Sequence, residues 1–194
     1  MKNEECKMKK TEINLPLAVD VAKALRIGDE VELNGYVYTG RDQACARMFK
    51  MLQGGEKLPI ELEGQLIYFV GPSPAKPGEV VGSAGPTTSG RMNPFLPKFL
   101  GLGLRGFIGK GYLSQEVKDA LVKHGGVYFG AIGGTGALLS ECIESVEVIA
   151  FPELLSEAIH RMKFKRFPAV VLNDASGGDL YAQAMKSEQT TENP

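Results

Sequence analysis

Apolar positions fall into short blocks bounded by glycine and proline, and they follow two periods. Glu30-Val31-Glu32-Leu33 alternates at period two, and Asn34-Gly35 then predicts a tight hairpin turn into Tyr36-Val37-Tyr38-Thr39. Residues 65–70, 106–109 and 126–132 are continuous apolar runs, the pattern of strands buried on both faces. Ala44, Met48, Met51 and Leu52 recur at helical spacing and predict a helix over 42–52 with Asp42 as its N-cap. Val117, Ala120 and Leu121 predict another, capped by Ser114 and closed after His124 by Gly125-Gly126. Shorter helices are expected over 19–25, ended by Gly28, and over 91–100, where Pro94 and Pro97 distort the pattern. Residues 146–150 and 168–172 read as strands, 154–165 fit neither period, and 173–179 read as a turn into a closing hairpin at Leu180-Tyr181.

The polar ends set the domain limits. Residues 1–12 read as a flexible leader and 186–194 as a disordered tail, leaving one domain over 13–185. The order of elements is that of a mixed α/β domain with parallel and antiparallel parts.

Composition narrows the function classes. The 194 residues are 43% hydrophobic and 23% charged, ordinary for a soluble globular protein. Net charge is −1, from 22 basic and 23 acidic side chains, which lacks the basic excess of non-specific nucleic-acid binding. No apolar run approaches the length of a membrane span, and the charged N-terminus lacks a signal-peptide core, so a cytoplasmic protein is expected. Cys6, Cys45 and Cys142 are widely separated and match no paired framework or local metal motif, so no metal site is expected in this chain.

The chemistry concentrates in Gly82-Ser83-Ala84-Gly85-Pro86-Thr87-Thr88-Ser89-Gly90-Arg91-Met92. Gly82, Gly85 and Gly90 permit positive φ, so successive N–H groups could turn inward as an anion nest, with a helix start near Ser89 adding partial positive charge. Arg91 brings a planar fork suited to a carboxylate or phosphate. Arg41 sits at a strand-to-helix junction, and Lys110 lies between Gly109 and Gly111, which allow close approach to a ligand. Gly101-Leu102-Gly103-Leu104-Arg105-Gly106 follows a helix and precedes a strand, the reverse of a dinucleotide site. No Ser or Thr follows Lys110, which excludes a nucleotide P-loop. Gly133-Gly134-Thr135-Gly136 reads as close packing of a helix on the sheet, with an anion-binding helix start as the other reading.

Gly85-Pro86-Thr87-Thr88-Ser89-Gly90-Arg91-Met92 closely resembles the signature of the β region of iron–sulfur hydro-lyases, the family of class I fumarases and L-tartrate dehydratases. Gly40-Arg41-Asp42, Gly109-Lys110-Gly111, Gly133-Gly134-Thr135-Gly136 and Phe167-Pro168-Ala169 support the likeness, which runs from about Leu15 to Tyr181. Relatives carry a histidine after two intervening residues beyond the Arg-Asp pair, where this chain has Cys45. The resemblance implies a swivelling β/β/α domain of three layers, with a parallel central sheet and a second antiparallel sheet. It implies a [4Fe–4S] cluster, held by a partner α subunit, acting as a Lewis acid while water is added or removed across a carbon–carbon bond. It also implies a small dicarboxylate substrate, an α subunit as partner and a dimer of αβ pairs.

Carried onto matching positions, the resemblance makes Arg41, Thr87, Thr88, Arg91 and Lys110 substrate-binding residues, with Thr87, Thr88 and Lys110 also catalytic. Two roles stay open for the threonines: orienting substrate by hydrogen bonding, or taking the proton beside a carboxylate. The second requires nearby cations to depress the hydroxyl pKa. A fumarate hydratase β subunit is the leading reading. A tartrate dehydratase β subunit and a non-catalytic dicarboxylate-binding domain are the alternatives.

Overall fold

A computed structural model describes residues 11–132 and 136–191. Seven strands form one hydrogen-bonded sheet: β1 (Thr11–Asn14), β2 (Glu30–Thr39), β3 (Leu66–Tyr68), β4 (Gly106–Gly109), β5 (Val127–Ala131), β6 (Ile143–Ala150) and β7 (Ile159–Asn173). Helices α1 (Val19–Ala24), α2 (Asp42–Gln53), α3 (Leu96–Gly101), α4 (Gln115–His124), α5 (Gly136–Ser140) and α6 (Leu180–Thr191) follow or separate them. Strands β2, β3, β4 and β5 pair in parallel in chain order. Strand β7 runs antiparallel to β2 on one edge and to β5 and β6 on the other. Val170 is thus opposite Glu30 on one side and Gly130 on the other, and β2-β3-β4-β5-β7 closes into a ring. The parallel and antiparallel parts expected from the sequence are two portions of this single sheet.

Alternation along the ring strands separates two cores. Val31, Leu33, Val37, Tyr68, Ile108, Phe129, Phe167 and Val171 belong to one cluster. Ile67, Phe69, Phe107 and Tyr128 point the other way and pack with Ala44, Cys45 and Met48 of α2, Phe99 of α3 and Val117 and Leu121 of α4. Burial on both faces is why β3, β4 and β5 read as unbroken apolar runs. Ser114 caps α4 by accepting from Val117 N at 3.4 Å, and Gly125 ends it in the left-handed conformation, as the sequence predicts.

Several expectations need correction. No hairpin turns at Asn34-Gly35: β2 is continuous, and its register against β7 merely shifts between Leu33 and Gly35. Gly35 has φ 112°, and a Cβ there would meet Leu15 O at 2.9 Å, so the dipeptide marks a bulge where another segment crosses. Residues 159–165, which fit neither period, are the first half of the 15-residue β7. The turn after Asn173 forms, but Leu180-Tyr181 opens a helix instead of a returning strand, because Asp179 Oδ1 accepts from Ala182 N at 3.1 Å as an N-cap. That helix continues to Thr191, so most of the tail expected to be disordered is helical. Of the expected leader, Thr11 and Glu12 pair in β1; residues 1–10, with Cys6, and 192–194 lie outside the described residues. Among the described residues no helix is long and apolar enough to cross a membrane.

Candidate functional site

The loop from Gly82 to Arg91 crosses the ends of β3, β4 and β5 and is fastened there from beneath. Tyr68 donates its hydroxyl to Ala84 O. Ser89, fully buried, donates to the Tyr128 hydroxyl at 2.9 Å, which in turn donates to Gly111 O at 3.0 Å. Burial pushes both tyrosine pKa values up, so they remain proton donors. Thr88 and Lys110 face each other across an isolated bridge, with Ser89 N donating to Lys110 O at 2.9 Å.

The backbone nest expected in this loop is absent. Gly82, Gly85 and Gly90 are not among the described residues with positive φ. The N–H groups of Gly82, Ala84, Thr87 and Ser89 are engaged by Ser73 O, Gly136 O, Phe69 O and Lys110 O. Only a 3₁₀ turn, Ser89–Met92, begins here, too short for an appreciable macrodipole. Close approach explains Gly82, whose Cβ would meet Pro74 O at 2.5 Å. Gly109, beside Lys110, is similarly confined, with 2.1 Å to Ser89 Oγ. An anion here would therefore have to be met by side chains.

Those side chains occur in two neighbouring groups. Lys110 lines an open cleft of about 600 Å³ with Gly71, Ser83, Gly85, Pro86 and Gly136. Among the described residues it has no carboxylate within ion-pairing distance. The second group is a chain of charges. Arg91 Nη2 donates to Thr87 Oγ1 at 2.6 Å, and Arg91 Nε lies 3.4 Å from Asp42 Oδ1. Asp42 Oδ2 is 3.9 Å from Arg41 Nη2, which is 3.6 Å from Glu157 Oε1. Arg41 rests against Gly71, where a Cβ would come within 2.5 Å of Nη1, and so reaches the wall of the cleft that holds Lys110. Thr87, Thr88, Arg41 and Arg91 border the cleft region without lining it. Gly133, Gly134 and Thr135 lie outside the described residues.

Sequence reading missed Asp42 and Glu157 as partners of the arginines. The sequence signal for Asp42 is its place beside Arg41, although the helical pattern alone points to an N-cap there. The cap position belongs to Arg41, and Asp42 is the first residue of α2. Ser89 and Tyr128 left no sequence signal beyond ordinary turn and strand composition.

Two of the three cysteines are described, and they are not a cluster-binding set. Cys45 is wholly buried against Ala44, Met48 and Ile67, while Cys142 packs against the other core. Burial raises the Cys45 pKa far above its usual value, with the Asp42 and Glu157 charges adding to the rise, so the thiol stays protonated. Among the described residues no group of three His, Cys, Asp or Glu side chains could hold a metal. Cys45 thus serves as a small apolar filler. Cys45→His is expected to overpack this site and cost about 1–3 kcal/mol, or roughly 3–10 °C in Tm. A thermal scan checks this; unchanged Tm with a faster enzyme would mean the pocket accepts an imidazole.

A model of the family described as "Fumarase C-terminus" matches residues 1–184. The chain is 36% identical over 185 residues to the aerobic class I fumarate hydratase of Escherichia coli (strain K12), covering 93% of this chain and 34% of that protein. It is 39% identical over 161 residues to fumarate hydratase 2 of Leishmania major, covering 82% of this chain and 28% of that one. A Methanocaldococcus jannaschii protein, provisionally named L(+)-tartrate dehydratase subunit beta, is 36% identical over 170 residues, with 84% of this chain and 87% of that one covered. The chain thus spans about a third of the length of the fumarate hydratases it matches.

Proposed function

Since the chain belongs to the Fumarase C-terminus family, we propose that it is the β subunit of a two-subunit [4Fe–4S] hydro-lyase, interconverting fumarate and L-malate. The observation that carries the reading is the Lys110 ammonium in an open cleft, without a carboxylate partner among the described residues, beside an arginine pair that ends on a threonine hydroxyl. Two groups of cations suit a substrate with two carboxylates. Lys110 takes one end as a point charge, and Arg91, backed by Arg41, takes the other through a planar fork. Thr87 already accepts from Arg91, so its hydroxyl proton points away from that guanidinium and orients the substrate; Thr88 is held beside it by the Lys110 bridge. The arginine also favours charge on Thr87 Oγ1, which is what a proton-accepting role for that oxygen needs.

The two described cysteines do not fit a cluster, so we assign the cluster to a cytoplasmic α subunit, with two αβ pairs associating. In this reading the ring and its two cores are those of a three-layer swivelling β/β/α domain. The cleft is wider than a four-carbon diacid requires, so the partner closes it and excludes water.

The test is co-expression with a cysteine-bearing α subunit. A brown complex that hydrates fumarate, with the chain alone colourless and inactive, is the expected result. A chelator-sensitive iron chromophore in the chain purified alone would overturn it. The tartrate reading is favoured by one observation: the relative whose length the chain nearly spans carries that substrate's name. Assaying both substrates decides between them. A complex that binds dicarboxylates without turnover would leave only a binding domain.

A further inference from the structure

We propose that Asp42 is the positioning residue that couples Arg41 to Arg91, so that the two guanidiniums act as one clamp; this rests on the substrate-clamp reading above. Arg41 caps α2 just past the end of β2, and Arg91 ends the loop that crosses the sheet, far apart in the chain. Asp42 stands between them with one carboxylate oxygen toward each, 3.9 Å from Arg41 Nη2 and 3.4 Å from Arg91 Nε. Its own place is fixed: as the first residue of the twelve-residue α2 it sits where a helix favours negative charge. Arg91 then carries the arrangement on to Thr87 Oγ1 at 2.6 Å.

Two observations separate this from an ordinary ion pair. Asp42 Oδ2 and Arg41 Nε are both buried and both lack a hydrogen-bond partner among the described residues. Orphaned buried polar atoms are costly, so this arrangement is not one optimised for stability. Arg41 also has a competing carboxylate: Glu157 Oε1 is 3.6 Å from the same Nη2, and Glu157 Oε2 is anchored by Gln43 N at 3.0 Å. Without the Asp42 charge, Arg41 turns fully to Glu157 and Arg91 keeps only Thr87. Loose, partly exposed pairs of this kind contribute little to stability, so the effect belongs to binding.

The experiment is Asp42→Asn in the assembled enzyme, measured in the wild-type and Arg91→Ala backgrounds, with inhibition by succinate and Tm alongside. We expect kcat/KM to fall about tenfold, mostly through KM. The succinate Ki should rise in step, and Tm should move by less than about 2 °C. Asp42→Glu should recover most of the loss. In the Arg91→Ala background the effect should shrink to about twofold or less, since the coupling is already gone. A full loss in both backgrounds, a KM that falls, or a loss explained by Tm overturns the proposal. If Arg91→Ala and Arg41→Ala are impaired while Asp42→Asn is normal, only this inference fails. If both arginine variants are normal, the clamp itself fails and this inference with it.

Discussion

Lys110→Met is expected to lower kcat/KM of the proposed αβ enzyme by roughly ten- to a hundredfold, from the loss of one charge-assisted contact worth about 1.5–3 kcal/mol. Its ammonium stands in the cleft without a carboxylate partner among the described residues, so the fold gains nothing from the charge. Methionine retains most of the stem, and the backbone bonds at this position survive: Lys110 N to Thr87 O at 3.3 Å, and Ser89 N to Lys110 O at 2.9 Å. Tm should therefore hold. An equal drop in kcat and kcat/KM would place the contact in the transition state, whereas a rise in KM alone would place it in substrate binding. Near-normal kinetics would remove Lys110 from the site.

Arg91→Lys should cost a similar roughly ten- to hundredfold, by a different route. Lysine keeps the charge but cannot reach Thr87 and Asp42 at once, as Nη2 and Nε of one planar guanidinium do. Arg91→Ala should be at least as impaired. Neither should lose more than about 1 kcal/mol of stability, because the side chain is 49% exposed and its ion pair is loose. The competing role is to brace the loop, which the same two contacts could also serve. Steady-state kinetics and thermal scans on both variants separate these roles. A large fall in Tm with near-normal activity in the surviving protein would make Arg91 a brace.

What could be read from the sequence was whatever short-range patterning dictates. The runs at 66–68, 106–109 and 127–131 announced strands covered on both faces, and Ser114 and Gly125 marked both ends of α4. Asn34-Gly35 misled because a hairpin competes with pairing that no local pattern reveals: each half of β2 finds a better partner in β7, over a hundred residues away. Leu180 misled because Asp179 was counted as a turn residue when it is a cap. At the site, likeness to the family signature, more than residue type alone, singled out Arg41, Thr87, Arg91 and Lys110 as candidates. The reason for the glycines was not legible. Gly82 and Gly109 are there for lack of space, a property of neighbours contributed by Pro74 and Ser89.

The closure of the ring by β7 has a consequence for biosynthesis. Residues near 30 cannot complete their pairing until residues near 170 have been made, so β2 and β5 leave the ribosome as two open edges. The parallel strands β2 to β5 form a curved sheet whose apolar inner face stays wet through most of translation. Open edges beside such a face invite pairing with other chains. Contacts of such long sequence separation also slow the final step, because loop closure precedes any gain. The nascent chain is thus most vulnerable just before β7 emerges, and a premature stop anywhere before Ile159 would leave that edge pair exposed permanently.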